Sequence, residues 1–255
     1  MPREGPRYDW GMSGEARVDG PEVALASLRK GEEVPEGLLV RCLRSPDCPR
    51  ELVERLAPCR WARSLQRVPA LMLRHPGCPR VFAWEMIPRL GWHDLLLVVR
   101  DPRTAVPIRR QGERKLTDRL KSLTTGERTA LARQATRGII AAMLADEEPL
   151  CVRALLANPQ FTELDAVRLL NANRSSECAV AVVRHPRWGA TRAVVNAAVR
   201  SRVVPLGVVL GLIATLSRQQ LEDLLRSKEL PAAARDAATR LLTCRRRAAP
   251  GGASD

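Results

Sequence analysis

Short apolar clusters at helical spacing alternate along this chain with breaks marked by proline, and the breaks share one phrase. An apolar pair, two residues that are mostly basic or polar, and then proline recur as Cys42-Leu43-Arg44-Ser45-Pro46, Met72-Leu73-Arg74-His75-Pro76 and Val98-Val99-Arg100-Asp101-Pro102. The same phrase returns at Leu155-Leu156-Ala157-Asn158-Pro159 and Val182-Val183-Arg184-His185-Pro186. Proline disfavours the α conformation in the residue before it, so each phrase predicts a helix stop at the same register. Helix starts follow about three residues later. Cys48-Pro49 and Cys78-Pro79 place proline at a predicted first helical position. Thr162 with Asp165, Thr124 with Glu127 and Ser217 with Gln220 have capping-box spacing. The predicted helices between these signals are short, so each needs neighbours to cover its apolar face. The run from Val203 to Leu216 is too short for a bilayer span and predicts a buried helix.

A longer duplication lies above the short phrase. Residues 73–116 align without a gap on 199–242 at an offset of 126, matching Pro79 to Pro205, Ile87 to Ile213, Leu90 to Leu216 and Leu95 to Leu221. Upstream, Leu38, Leu43 and Glu51 meet Leu164, Leu169 and Glu177, and one indel later Arg60-Trp61 meets Arg187-Trp188. Two related helical halves, about 38–116 and 164–242, are therefore expected, joined by further helices over 117–163. The predicted organisation is a flexible N-terminus over 1–20, a repeat domain over 21–243 and a flexible basic tail over 244–255.

The stretches Ser45-Pro46-Asp47-Cys48-Pro49-Arg50-Glu51-Leu52-Val53-Glu54-Arg55-Leu56-Ala57 and Val152-Arg153-Ala154-Leu155-Leu156-Ala157-Asn158-Pro159-Gln160-Phe161-Thr162-Glu163-Leu164 resemble units of bacterial leucine-rich-repeat-variant and HEAT-like α-solenoids. The resemblance covers roughly residues 38–242. It implies an all-α fold, a superhelical stack of short antiparallel helix pairs in which each pair touches mainly its neighbours. Such a motif specifies helix packing and leaves the function open.

Composition narrows the chemistry. The 255 residues hold 42 Lys+Arg against 28 Asp+Glu, a net charge of +14, and only Lys30, Lys115, Lys121 and Lys228 are lysines. Aromatics at 3% argue against an all-β sandwich. Met1 to Gly20 has no apolar signal-peptide core, and seven unclustered cysteines fit reduced thiols, so a cytoplasmic location is expected. No C-x-x-C pair brings two thiolates onto one turn, and Cys42, Cys48, Cys59 and Cys78 read as small buried side chains with no metal or cofactor. His75 and His185 occupy the slot held elsewhere by Ser45, Asp101 and Asn158, which marks them as turn residues. No nucleophile elbow, phosphate loop, dinucleotide fingerprint or metalloprotease motif is present, and neither an enzyme nor a small-molecule substrate is expected.

Tryptophan and arginine remain. Trp61 and Trp188 match across the duplication, while Trp84 and Trp92 lie eight residues apart. HEAT-like alkylpurine DNA glycosylases are also small and basic with tryptophans on a concave face. The likeness is one of fold and charge, with no residue match that carries over a catalytic aspartate, and packing between helices is the favoured role for the tryptophans. From Arg100 to Lys121 eight bases face three acids, and Arg110, Arg114 and Lys121 fall at helical spacings. Arg109, Arg110, Arg114 and Lys115 are the candidate macromolecular contacts. The reading that follows is a non-catalytic adaptor binding another protein, with nucleic-acid binding as the alternative.

Overall fold

A computed structural model describes residues 20–227 and 230–248. Among them every regular element is helical and no strand occurs. The α-helices are α1 (Pro21–Arg29), α2 (Glu36–Arg44), α3 (Arg50–Leu56), α4 (Arg60–Ser64), α5 (Val68–Arg74), α6 (Arg80–Met86), α7 (Trp92–Arg100), α8 (Val106–Arg119) and α9 (Thr125–Gln134). They continue as α10 (Arg137–Met143), α11 (Pro149–Leu156), α12 (Glu163–Ala172), α13 (Ser176–Val183), α14 (Arg192–Arg200), α15 (Leu206–Thr215), α16 (Arg218–Leu225) and α17 (Ala232–Ala248). The chain divides into two compact units between Lys115 and Leu116. The predicted flexible N-terminus lies outside the described residues apart from Gly20, as does the predicted tail beyond Ala248. Residues 244–248 of that tail belong to α17, where Arg245 donates to the carbonyls of Leu216 and Ala214. Those carbonyls end α15, and a basic side chain is a good partner for such unsatisfied groups.

Each unit packs in the same manner. In the first, α2 lies on α5, α5 on α7 and α1 on α3; in the second, α9 lies on α11, α11 on α13 and α12 on α14. Helices thus pair with next-but-one neighbours as well as adjacent ones, as α1 with α2 and α12 with α13. The duplication is visible in burial. Val68, Met72 and Leu73 on α5 and their counterparts Val194, Ala198 and Val199 on α14 are all enclosed. Leu95 and Val98 on α7 answer to Leu221 and Leu224 on α16, again buried. Leu52 and Leu56 on α3 correspond to Cys178 and Val182 on α13.

The termini explain the short elements. Ser45, His75 and Asp101 are the C-caps of α2, α5 and α7, while the C-caps of α11 and α13, Ala157 and Arg184, come one residue before Asn158 and His185. All three expected capping boxes form, on Thr124, Thr162 and Ser217. Pro49 and Pro79 are N-caps, one residue earlier than predicted, and Pro205 holds the equivalent place on α15.

The residue before each phrase proline closes the turn that follows. Its side chain accepts a backbone N–H two residues on: Asp47 to Ser45 Oγ at 3.3 Å, Gly77 to His75 Nδ1 at 3.0 Å, Arg103 to Asp101 Oδ1 at 2.9 Å, Gln160 to Asn158 Oδ1 at 2.8 Å and Arg187 to His185 Nδ1 at 3.3 Å. In several copies the same side chain also reaches a preceding helix or turn of the same compact unit. His75 Nε2 lies 3.0 Å from the Cys48 carbonyl, and Asn158 Nδ2 donates to Ala132 O at 2.8 Å and Ala135 O at 3.1 Å. Asn173 Nδ2 repeats the reach to Asp146 O at 2.7 Å, and Asp101 accepts from Arg74 Nε at 2.6 Å. Turn formation and attachment to an earlier segment of the same unit are thereby joined in one residue. His75 is consequently the Nε2–H tautomer, since one nitrogen accepts from Gly77 and the other faces a carbonyl.

Two of these acids set a pH dependence. Burial pushes the Asp101 carboxyl up, but hydrogen bonds from Arg103 and Arg74 outweigh it and hold the group below its ordinary 3.8. At Asp165 burial is likewise outweighed, by Thr162 and by Arg137 at 2.5 Å. A carboxylate depressed in the folded state contributes stability above its unfolded pKa, and that contribution is lost as pH falls through the folded value. Thermal melts are expected to hold level from pH 7 to about 5 and to fall steeply below about pH 4. Asp101→Asn is expected to lower the neutral plateau and flatten that fall; an unchanged acid slope would remove Asp101 from the account.

Candidate functional site

The four predicted contact residues all lie on α8, but they are not equivalent. Arg110 and Arg114, one turn apart, are exposed, whereas Arg109 and Lys115 are half-buried. Arg109 Nε is enclosed without a hydrogen-bond partner among the described residues. Lys121, predicted to extend the stripe, falls beyond the end of α8 on a 3-10 turn over Leu120–Ser122. Elsewhere many arginines are committed to acids, as in Arg29–Glu51 at 3.0 Å, Arg63–Glu85 at 2.6 Å and Arg192–Asp223 at 2.9 Å. These pairs occupy part of the basic side chains but leave the net surplus of +14 as it is, since each matches one base with one acid.

Cys42, Cys48, Cys78, Cys151 and Cys178 are buried packing residues, whereas Cys59, expected to be buried, is half-buried and Cys244 is exposed. Cys48 and Cys78, at the same repeat position, are buried, and each thiol faces the carbonyl of the following proline at 3.9 and 3.7 Å. Burial pushes Cys48 up to about 11 and Cys78 up to about 12, which keeps both as neutral thiols. Among the described residues no group of three or more His, Cys, Asp or Glu is placed to hold a metal ion. No described helix is long and apolar enough to cross a membrane.

The two halves treat their matched tryptophans differently. Trp188 is buried, donates to Leu156 O at 3.1 Å, and packs against Phe161 and under Arg187. Trp61 is only half-buried. Trp84 departs from the packing role altogether, for 46% of it is exposed, and Val81 beside it is 72% exposed. Phe82, Ala83 and Met86 on the opposite side of α6 are buried. Val81, Trp84, Arg80 and Glu85 border a shallow depression of about 590 Å³.

The matching helix in the second unit, α15, also exposes apolar surface. Leu206 is 50% and Leu210 40% exposed, and Leu210 is the counterpart of Trp84 at the 126-residue offset. This corrects the expectation of a buried helix over Val203 to Leu216. Val209 and Ile213 face the core, α14 and α17 pack against the helix, and the opposite face stays open. Gly207 and Gly211 on it have no atom within 4 Å of where a Cβ would stand. The sequence contained a signal for both faces. Apolar residues encircle α6 and α15 instead of forming one stripe, and such a helix is either wholly enclosed or carries a second apolar face.

No family model, curated protein or solved structure matches the chain.

Proposed function

We propose that this chain is a non-catalytic protein-binding adaptor, built of HEAT-like helix pairs stacked as an α-solenoid and working in the cytoplasm. The observation that carries the reading is the exposure of apolar side chains on equivalent helices of both units, Val81 and Trp84 on α6 and Leu206 and Leu210 on α15. Exposed large apolar groups clustered on one helix face are the ordinary mark of a protein contact, and tryptophan is over-represented among residues that dominate binding energy. The next-but-one helix packing and the side-chain bridges reaching back 23 to 28 residues support the stacked-repeat architecture. Buried polar residues such as Asp101, Asn158, Asp165 and Asn173 are occupied by turns and bridges, which favours a structural role for them over a chemical one.

The test is variant-dependent capture. Full-length protein is crosslinked in extracts of its own cells, alongside Val81→Asp/Trp84→Ala and Leu206→Asp/Leu210→Asp. Specific proteins should co-purify with the wild type after nuclease treatment and be lost from at least one variant, with melting temperatures unchanged. Identical protein sets on all three would overturn the reading.

Nucleic-acid binding is favoured by Arg110 and Arg114, which share one helix and are exposed with no ion pair among the described residues. Under that reading duplex DNA would bind with a log–log salt slope of about −0.9 per neutralised phosphate, reduced by about 2 in Arg110→Glu/Arg114→Glu. The adaptor reading expects no such binding at low salt.

A further inference from the structure

Charge around the α6 face distinguishes one class of partner from others. The depression bordered by Val81 and Trp84 is also lined by one base and one acid, Arg80 and Glu85. These two charges are not equally available. Glu85 Oε2 accepts from Arg63 Nη1 at 2.6 Å, and Arg63 itself lies over the Phe82 ring, so this acid is already neutralised by its own unit. Arg80 is exposed and forms no ion pair or hydrogen bond among the described residues. The face therefore offers an aromatic and aliphatic anchor site rimmed by one uncompensated guanidinium. A basic or uncharged partner would leave that guanidinium without a counterion or press another cation against it. A carboxylate would meet it as a two-pronged acceptor.

We propose that α6 docks an acidic amphipathic segment of a partner protein, its apolar side chains resting on Val81 and Trp84 and a carboxylate engaging Arg80. This rests on the docking reading of α6 given above. The matching face of α15 differs in this respect. Leu206 stands where α6 has Arg80, and Gly211 stands where it has Glu85, so the charge preference belongs to α6 alone.

The experiment selects binders from a displayed library of random 16-residue peptides against the full-length protein, then measures the winners on variants by fluorescence anisotropy. Trp84→Ala tests the docking face. Arg80→Glu tests the charge preference and is expected to fold, because a carboxylate suits the first turn of a helix. Lys30→Glu, the same charge change at the exposed C-cap of α1, controls for the general attraction of a basic protein for acidic peptides. The expected winners combine Asp or Glu with aromatic or aliphatic residues. They should weaken about tenfold on Trp84→Ala and about fivefold on Arg80→Glu, and hold on Lys30→Glu. Winners indifferent to Trp84→Ala would overturn the docking reading itself. Winners that need Trp84 but lack acids, or respond alike to Arg80→Glu and Lys30→Glu, would leave docking in place and overturn the acidic partner.

Discussion

Asn158→Ala is expected to lower the stability of the second unit by about 3 kcal/mol, read as an earlier urea-unfolding midpoint. Asn158 is 1% exposed, and its amide makes three bonds at once: two from Nδ2 to the Ala132 and Ala135 carbonyls, one accepted from Gln160 N. Alanine removes all three and leaves their partners short of hydrogen bonds in an enclosed place, where an unsatisfied group costs about 1 to 3 kcal/mol. Asn158→Asp separates the two roles. The carboxylate still accepts from Gln160 but turns negative charge toward two carbonyl oxygens. It should be at least as damaging at pH 7 and recover partly on acidification, when a protonated carboxyl donates again. Ser45→Ala, in a copy whose side chain makes only a 3.3 Å turn bond among the described residues, should cost well under about 1 kcal/mol. Equal losses at positions 45 and 158 would show that the backward bridge contributes nothing.

Gly189→Ala should destabilise by a similar amount, about 3 kcal/mol, for a steric reason. A Cβ at Gly189 would stand 1.9 Å from the Val183 carbonyl oxygen and 3.1 Å from that of His185. Both obstacles are backbone, and the Gly189 N–H already bonds to His185 O at 2.8 Å, so the turn below Trp188 cannot open without breaking that bond. The first half holds Ala62 at the corresponding place, within α4, where the chain follows a helical course that admits a methyl group. Gly207→Ala and Gly211→Ala on the open face of α15 provide the contrast. Nothing lies within 4 Å of either site, and replacing an exposed helical glycine should stabilise by up to about 1 kcal/mol each. A melting temperature that rises in Gly189→Ala would contradict the tight turn.

The residues that end and begin helices were the most legible part of this chain. Pro46, Pro76, Pro102, Pro159 and Pro186 stop helices, and Thr124, Thr162 and Ser217 start them, because both effects act within four residues and need no partner from elsewhere. The duplication was legible for a related reason. Equivalent apolar positions such as Leu95 and Leu221 face equivalent neighbours, so the pattern survives where few identities do. Arg110 and Arg114 were legible as exposed bases by their charge and spacing. Their neighbours Arg109 and Lys115 were not distinguishable from them, since composition alone does not say which side of α8 is covered.

Three things had to wait for tertiary structure. Asn158 and His75 look like simple turn residues, yet each reaches a carbonyl 23 to 27 residues back, a distance along the chain at which no local rule operates, and Asn173 does the same. The Val203 to Leu216 run reads as buried because it is apolar throughout, but α14 and α17 cover only part of its surface. Trp84 reads as a packing residue like Trp188, and only the placement of its neighbours leaves one enclosed and the other open. By itself the sequence determined where each short helix begins and ends and that the pattern occurs twice, because proline stereochemistry and capping are local. Which apolar faces are spent on packing and which remain for a partner was decided by tertiary structure, because exposure depends on what lies across from a side chain.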